Sequence, residues 1–193
     1  MTARYLVFFG PPGCGKGTQA KKLAAEFGLA QISTGELFRK HLAERSPLGL
    51  EAKTYMDRGA LVPDDITISM VGERLLKPDA ARGAIFDGFP RTGTQARALD
   101  RLLANRGSQV DLVIEFALPI DVSRSRLMGR QEGRADDSPE VIERRLQDHA
   151  AVEASVMPHY GAQPGLVASV AAARPIDEIY QDVRELARRV FEG

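Results

Sequence analysis

The chain has 193 residues, with 26 basic and 26 acidic side chains, a formal net charge of zero, and one cysteine. Balanced charge argues against a general nucleic-acid or anionic-membrane surface, so any anion site must be a local concentration of positive charge. One cysteine excludes an internal disulfide, no apolar run approaches the roughly 18 residues of a membrane helix, and no secretory signal precedes the first strand; a cytoplasmic chain without membrane or nucleic-acid partners is expected.

At this length, one α/β domain with small inserts is expected. Tyr5–Phe9 is an apolar, β-rich run, followed by Gly10-Pro11-Pro12-Gly13-Cys14-Gly15-Lys16-Gly17-Thr18. This matches the phosphate-cradling pattern G-x-x-x-x-G-K with the hydroxyl one residue late, since Gly17 separates Lys16 from Thr18. A helical pattern over Lys16–Phe27, ended by Gly28, aims its positive end at the same loop. Ala30–Ser33 predicts a second strand. Thr34–Val62 reads as helical throughout, broken at Pro47 and Gly59, and predicts an inserted helical subdomain. Gly83–Phe86, Leu112–Ala117 and Leu166–Val170 predict three more strands, and helical patterns separate all five. That alternation implies a mostly parallel sheet covered on both faces. Gly129–Ser138, short, charged and Gly-containing, reads as a mobile connector between two helices. Ile176–Phe191 has apolar residues at helical spacing and predicts a helix packed on the sheet.

The chemistry gathers at the strand ends. The glycines let backbone N–H groups curl around an anion, and Lys16 adds a point charge for the outer phosphates, so a nucleoside triphosphate is the expected ligand. Cys14 reads as a small loop filler rather than a nucleophile. Asp87, after the third strand, is placed either to hold Mg²⁺ through water or to cap a turn. Arg91 follows Pro90, which fixes the backbone, so its planar fork is preset for a phosphate. Ser33 or Thr34 reads as a helix N-cap; Arg39, one turn in, either reaches a phosphate or is solvated. Arg126 and Arg130 are i, i+4 on one helix face, Arg134 lies just beyond, and Arg144 and Arg145 lie on the next helix. Such a set suits phosphoryl transfer, which is mainly positioning plus charge stabilisation. His41, His149 and His159 read as surface or packing residues, since a phosphate acceptor is already anionic. Asp136 and Asp137 either orient arginines or start a helix near Pro139.

Together these residues resemble the adenylate kinase family. The resemblance rests on Gly10–Gln19, Ser33–Arg39, Gly59–Asp64, Phe86–Thr92 with Gln95, Arg126–Arg130 and Gly133–Asp137, and spans residues 4 to about 190. It implies a P-loop NTPase fold, a three-layer α/β/α sandwich with a five-stranded parallel sheet. The divisions it implies are a core of 1–32, 63–128 and 140–193, a helical AMP-binding insert at 33–62, and a short lid at 129–139. It implies ATP, AMP and ADP as partners, Mg²⁺ as cofactor and reversible phosphate transfer from Mg·ATP to AMP, in adenine nucleotide homeostasis. By resemblance, Gly13, Cys14, Gly15, Lys16, Gly17, Thr18, Arg126, Arg130 and the backbone near Arg174 bind ATP. Thr34, Arg39, Ala60, Leu61, Val62, Gly88, Phe89, Pro90, Arg91 and Gln95 bind AMP, and Arg134 and Arg145 reach the phosphates. Lys16, Arg91, Arg126, Arg134 and Arg145 are the implied catalytic residues, with Asp87 as Mg²⁺ holder.

The chain departs from the family at Glu36, where Asp is common, and at Val170-Ala171-Ala172, where Val-Asp-Gly is usual. Only Gln131-Glu132-Gly133 separates Arg130 from Arg134. This short lid has no cysteines, so the structural zinc of some long-lid relatives has no ligands here. Two alternatives stand beside AMP phosphorylation: a UMP/CMP kinase, which shares much of this framework, and a nucleotide-binding switch without transfer. Thr34, and Gln95 at its spacing from Arg91, favour AMP. A monomer is expected.

Overall fold

A computed structural model describes residues 3–129 and 138–192. Five parallel strands, β1 (Arg4–Phe9), β2 (Ala30–Ser33), β3 (Gly83–Asp87), β4 (Leu112–Ala117) and β5 (Val167–Ala171), form one sheet in the order β2-β3-β1-β4-β5. All five lie where the sequence predicts them. β1 shows why these runs read as continuous rather than alternating: Tyr5, Val7 and Phe9 point into one core, Leu6 and Phe8 into the other, and all five are buried. A parallel sheet covered on both faces demands apolar side chains on both.

In chain order the helices are α1 (Lys16–Phe27), α2 (Thr34–Ala43), α3 (Pro47–Met56), α4 (Asp64–Leu75), α5 (Gly93–Ala104), α6 (Ile120–Met128), α7 (Pro139–Gly161) and α8 (Ile176–Glu192). Leu23 of α1 and Ile179, Val183 and Ala187 of α8 cover one face. Val71 of α4, Leu99 and Leu103 of α5, and Val156 and Tyr160 of α7 cover the other. The three-layer α/β/α architecture follows.

The stretch 34–62 differs in detail from the expectation of helix throughout. α2 and α3 are helical, but 57–63 is turn and loop. The first break falls just before Pro47, which occupies the first turn of α3, where its missing N–H matters least. Ser46 caps that helix, accepting from Gly49 N at 3.1 Å. Gly49 is required by packing: a Cβ there would stand 2.3 Å from the His41 backbone of α2. Phe38, Ala52, Val62 and Met70 give this insert a small core continuous with α4.

Candidate active site

The site begins at β1, where the strand order reverses. The chain leaves β1 toward β2 on one side, whereas β3 crosses over to β4 on the other. Open α/β sheets bind ligands outside the carboxyl ends of their strands at such a point. The carboxyl ends of β1, β2 and β3 lie together there, with Ser33 and Phe8 both in register with Asp87. A cavity of about 460 Å³ opens at this edge.

Its first wall is the loop between β1 and α1. Gly15, at φ 95°, is the N-cap of α1, and no side chain caps that helix. The first-turn amides therefore lack intrahelical partners, and the positive helix end is open to an anion. Lys16 Nζ donates to Gly10 O at 2.7 Å, Pro11 O at 2.9 Å and Cys14 Sγ at 3.3 Å. Ser123 of α6 donates its hydroxyl hydrogen to Pro12 O and braces the loop from behind. Gly13, Gly15, Lys16, Gly17 and Thr18 line the cavity. Cys14 does not: its side chain is fully buried among Leu6, Phe8 and Leu23. The Asp87 carboxylate lies close against the loop: Oδ2 stands 3.3 Å from where a Cβ on Gly17 would sit.

The second wall comes from β2, β3 and the helices that follow them. Ser33, not Thr34, caps α2, accepting from Glu36 N at 3.4 Å. Thr34 Oγ1 donates to Gly88 O at 2.9 Å, and Arg91 Nε donates to the same carbonyl at 2.9 Å. Gln95, only 2% exposed, accepts from Arg91 N at 2.8 Å through Oε1 and donates to Asp64 Oδ1 at 2.8 Å through Nε2. Arg39, Ala60, Leu61, Val62, Gly88 and Pro90 also line this side. Phe89, which the resemblance groups with the AMP contacts, has its side chain placed differently from its neighbours Gly88 and Pro90. Its ring is buried in the sheet core beside Phe86, at a centroid separation of 6.3 Å, and stays out of the cavity.

Arg126 from α6 and Arg145 from α7 close the cavity, together with Asp148, His149 and Val152. Leu127, Ile142 and Leu146 pack α6 against α7, and an Arg124–Glu143 ion pair joins the two helices at the surface. Arg174 is not brought to this cavity. Its guanidinium pairs with Asp182 of α8, and its Nε donates to Ala171 O at 3.1 Å. The nearby turn is tied to α1 by Gln19, whose Nε2 donates to Ile176 O at 2.9 Å. Arg130, Arg134, Asp136 and Asp137 lie outside the described residues.

His149, read from the sequence as a surface or packing residue, also lines the cavity. Its ring lies 5.8 Å from that of Phe9, and its side chain is 15% exposed. Burial pushes its pKa down to about 4, and the charges of Lys16 and Arg91 act in the same direction. The unfolded chain takes up a proton here below about pH 6.5, whereas the folded chain waits until about pH 4. Stability is therefore lost as pH falls through that window. The contribution of this group between pH 7 and pH 5 is on the order of 2 kcal/mol. Urea unfolding at the two pH values is expected to show that difference shrinking in His149→Phe, which keeps an aromatic ring against Phe9. An unchanged difference would contradict the assignment.

The adenylate kinase family model matches residues 8–164, most of the chain. The chain belongs to the adenylate kinase family. It is 43% identical to the adenylate kinase of Salinispora tropica, covering 90% of this chain and 93% of that one. It is 46% identical to the adenylate kinases of Mycobacterium tuberculosis and Mycobacterium marinum, over 91% of this chain and 94% of each. The family match runs from the end of β1 through α7 and so covers every wall of the cavity.

Proposed function

We propose that this adenylate kinase family member transfers the terminal phosphate of Mg·ATP to AMP, reversibly and in line, giving two ADP. The observation that supports this reading is the continuity of the cavity. One space is lined by the Lys16 loop on one side and by Arg39, Arg91 and Gln95 on the other. A triphosphate site and an acceptor site that share a single space permit direct transfer.

Under this proposal the loop amides and Lys16 hold the donor phosphates, joined by Arg126 and, beyond the described residues, Arg130. Thr34, Arg39, Arg91 and Gln95 hold AMP, and the 59–62 backbone lines its base. Negative charge spreads over the equatorial oxygens during transfer, and Lys16, Arg91, Arg126, Arg134 and Arg145 offset it. The acceptor phosphate is already anionic and needs no general base, so the neutral His149 is left to packing. Asp87 and Thr18, whose carboxylate and hydroxyl are hard oxygen donors, line the same cavity, a set that fits Mg²⁺. Asp87 would hold that ion through water. When bound, Mg²⁺ neutralises charge on the outer phosphates. The proposed division into a core of 1–32, 63–128 and 140–193, an insert at 33–62 and a lid at 129–139 assigns the lid to water exclusion. A cytoplasmic monomer serving adenine nucleotide balance completes the reading; among the described residues no helix is long and apolar enough to cross a membrane.

The test is a coupled assay of ADP production with AMP, CMP, UMP and GMP as acceptors. Fast turnover is expected with AMP, at least about a hundredfold over the others in kcat/KM, because mismatched bases leave buried polar groups unpaired. Preference for UMP or CMP would move the chain to the UMP/CMP kinase branch. Slow hydrolysis independent of acceptor would make it a switch.

A further inference from the structure

Asp64 does not line the cavity, yet it controls a group that does. It opens α4, and its carboxylate receives two hydrogen bonds from the start of α5. Gln95 Nε2 donates to Oδ1 at 2.8 Å, and Thr92 Oγ1 donates to Oδ2 at 2.8 Å. Thr92 is also the N-cap of α5, accepting from Gln95 N at 3.1 Å. The hydroxyl hydrogen is thereby committed to Asp64 and a hydroxyl lone pair to Gln95. On the other side, Arg91 N donates to Gln95 Oε1 at 2.8 Å.

The two ends of a glutamine amide are almost the same shape, so packing alone hardly distinguishes them. Charge does. A carboxylate can only accept, so the NH₂ end must face Asp64. A backbone N–H can only donate, so the oxygen must face Arg91. Turning the amide over would set oxygen against carboxylate and NH₂ against N–H. In the fixed orientation, one amide hydrogen and one oxygen lone pair remain for the cavity, in a set order. That order matches a base edge offering an amino hydrogen beside a ring-nitrogen acceptor, as adenine does. It mismatches the carbonyl and N–H of guanine.

We infer that Asp64 is a specificity-positioning residue: with the Arg91 N–H it locks the Gln95 amide in one orientation and so selects a 6-aminopurine acceptor over a 6-oxopurine one. The inference rests on the proposed AMP reading and deepens it.

The experiment measures kcat/KM for AMP and GMP in the wild-type enzyme, Asp64→Ser and Asp64→Asn. Serine keeps a residue suited to a helix start but can donate or accept, so the amide loses one of its two orienting partners and only the Arg91 N–H still opposes turning. Asparagine keeps an oxygen for Gln95 Nε2. Asp64→Ser is expected to raise KM for AMP roughly tenfold and narrow the AMP-to-GMP ratio by at least that factor, with KM for ATP unchanged. Asp64→Asn is expected to restore most of the ratio. A merely structural role would lower the melting temperature and slow both acceptors alike, leaving the ratio intact; that result overturns the inference. If Asp64→Ser does not fold, Thr92→Val, which removes one of the two bonds holding the carboxylate, must narrow the same ratio, and an unchanged ratio there overturns the inference equally. Wild-type preference for a pyrimidine acceptor would instead defeat the underlying reading. A wild-type enzyme selective for AMP whose ratio survives Asp64→Ser defeats the inference alone.

Discussion

Arg91→Ala is expected to lower kcat about a thousandfold while leaving the fold intact, in line with the loss of a single positioned arginine in phosphoryl transfer. The side chain is held before any substrate arrives: its Nε donates to Gly88 O, a carbonyl that also receives the Thr34 hydroxyl. The loop that carries it is fixed separately, through Arg91 N and Gln95 Oε1. Alanine keeps that main-chain bond, so the orientation of Gln95 survives and the lesion is confined to the guanidinium. Arg91 and Lys16 line one cavity, from facing walls. Lysine at position 91 should restore little, since a point charge lacks the planar fork that engages two phosphate oxygens at once. Steady-state turnover with Mg·ATP and AMP, beside a thermal melt, decides the matter. Near-normal kcat in a folded Arg91→Ala protein would remove Arg91 from the proposed machinery.

The fold was legible because its signals are local. Five apolar runs and the glycines around Lys16 each carry meaning within a few residues, and the sheet followed at the expected positions. The walls of the site were legible to the same degree, through Lys16, Asp87, Arg91 and Gln95. What escaped depends on contacts distant in sequence. Nothing near His149 indicates that α7 brings it against Phe9 at the end of β1. Asp64 looks like an ordinary acidic residue at a helix start; only the meeting of α4 with α5 gives its carboxylate the Gln95 amide to orient.

The directions of individual side chains depend on the same distant contacts. Phe89 sits between Gly88 and Pro90, both cavity residues, yet the chain turns its ring into the core beside Phe86. A motif names the positions in a loop without saying which side chain faces inward. Cys14, read from the sequence as a small loop filler, is that: the loop around it lines the cavity while its side chain is buried in the core. The Arg174 guanidinium pairs with Asp182 once α8 folds back along the chain, a side-chain partner that leaves the expectation for the backbone near Arg174 as it stood.

Lys16→Met should reduce kcat/KM for Mg·ATP by a factor of about a thousand or more, the effect of removing one preorganised charge from a phosphoryl-transfer site. The ammonium has three hydrogens, and the loop offers three acceptors: Gly10 O, Pro11 O and Cys14 Sγ. Lysine thus shapes the loop as well as charging it. Methionine preserves the length and apolar stem but leaves two loop carbonyls without this donor, costing about 1–3 kcal/mol if they are not rehydrated. Arginine should fail as a replacement, because its planar fork does not converge on acceptors set around a single point. KM for AMP should change far less, since Arg39 and Gln95 lie on the opposite wall. The reverse reaction gives an internal control. ADP disproportionation passes through the same transition state, and no variant alters the equilibrium constant, so the loss must satisfy the same thermodynamic relation in both directions. Assays of both directions in Lys16→Met, with circular dichroism to establish folding, test this. Retention of more than a tenth of wild-type kcat/KM would show that the loop amides and the arginines suffice without the lysine.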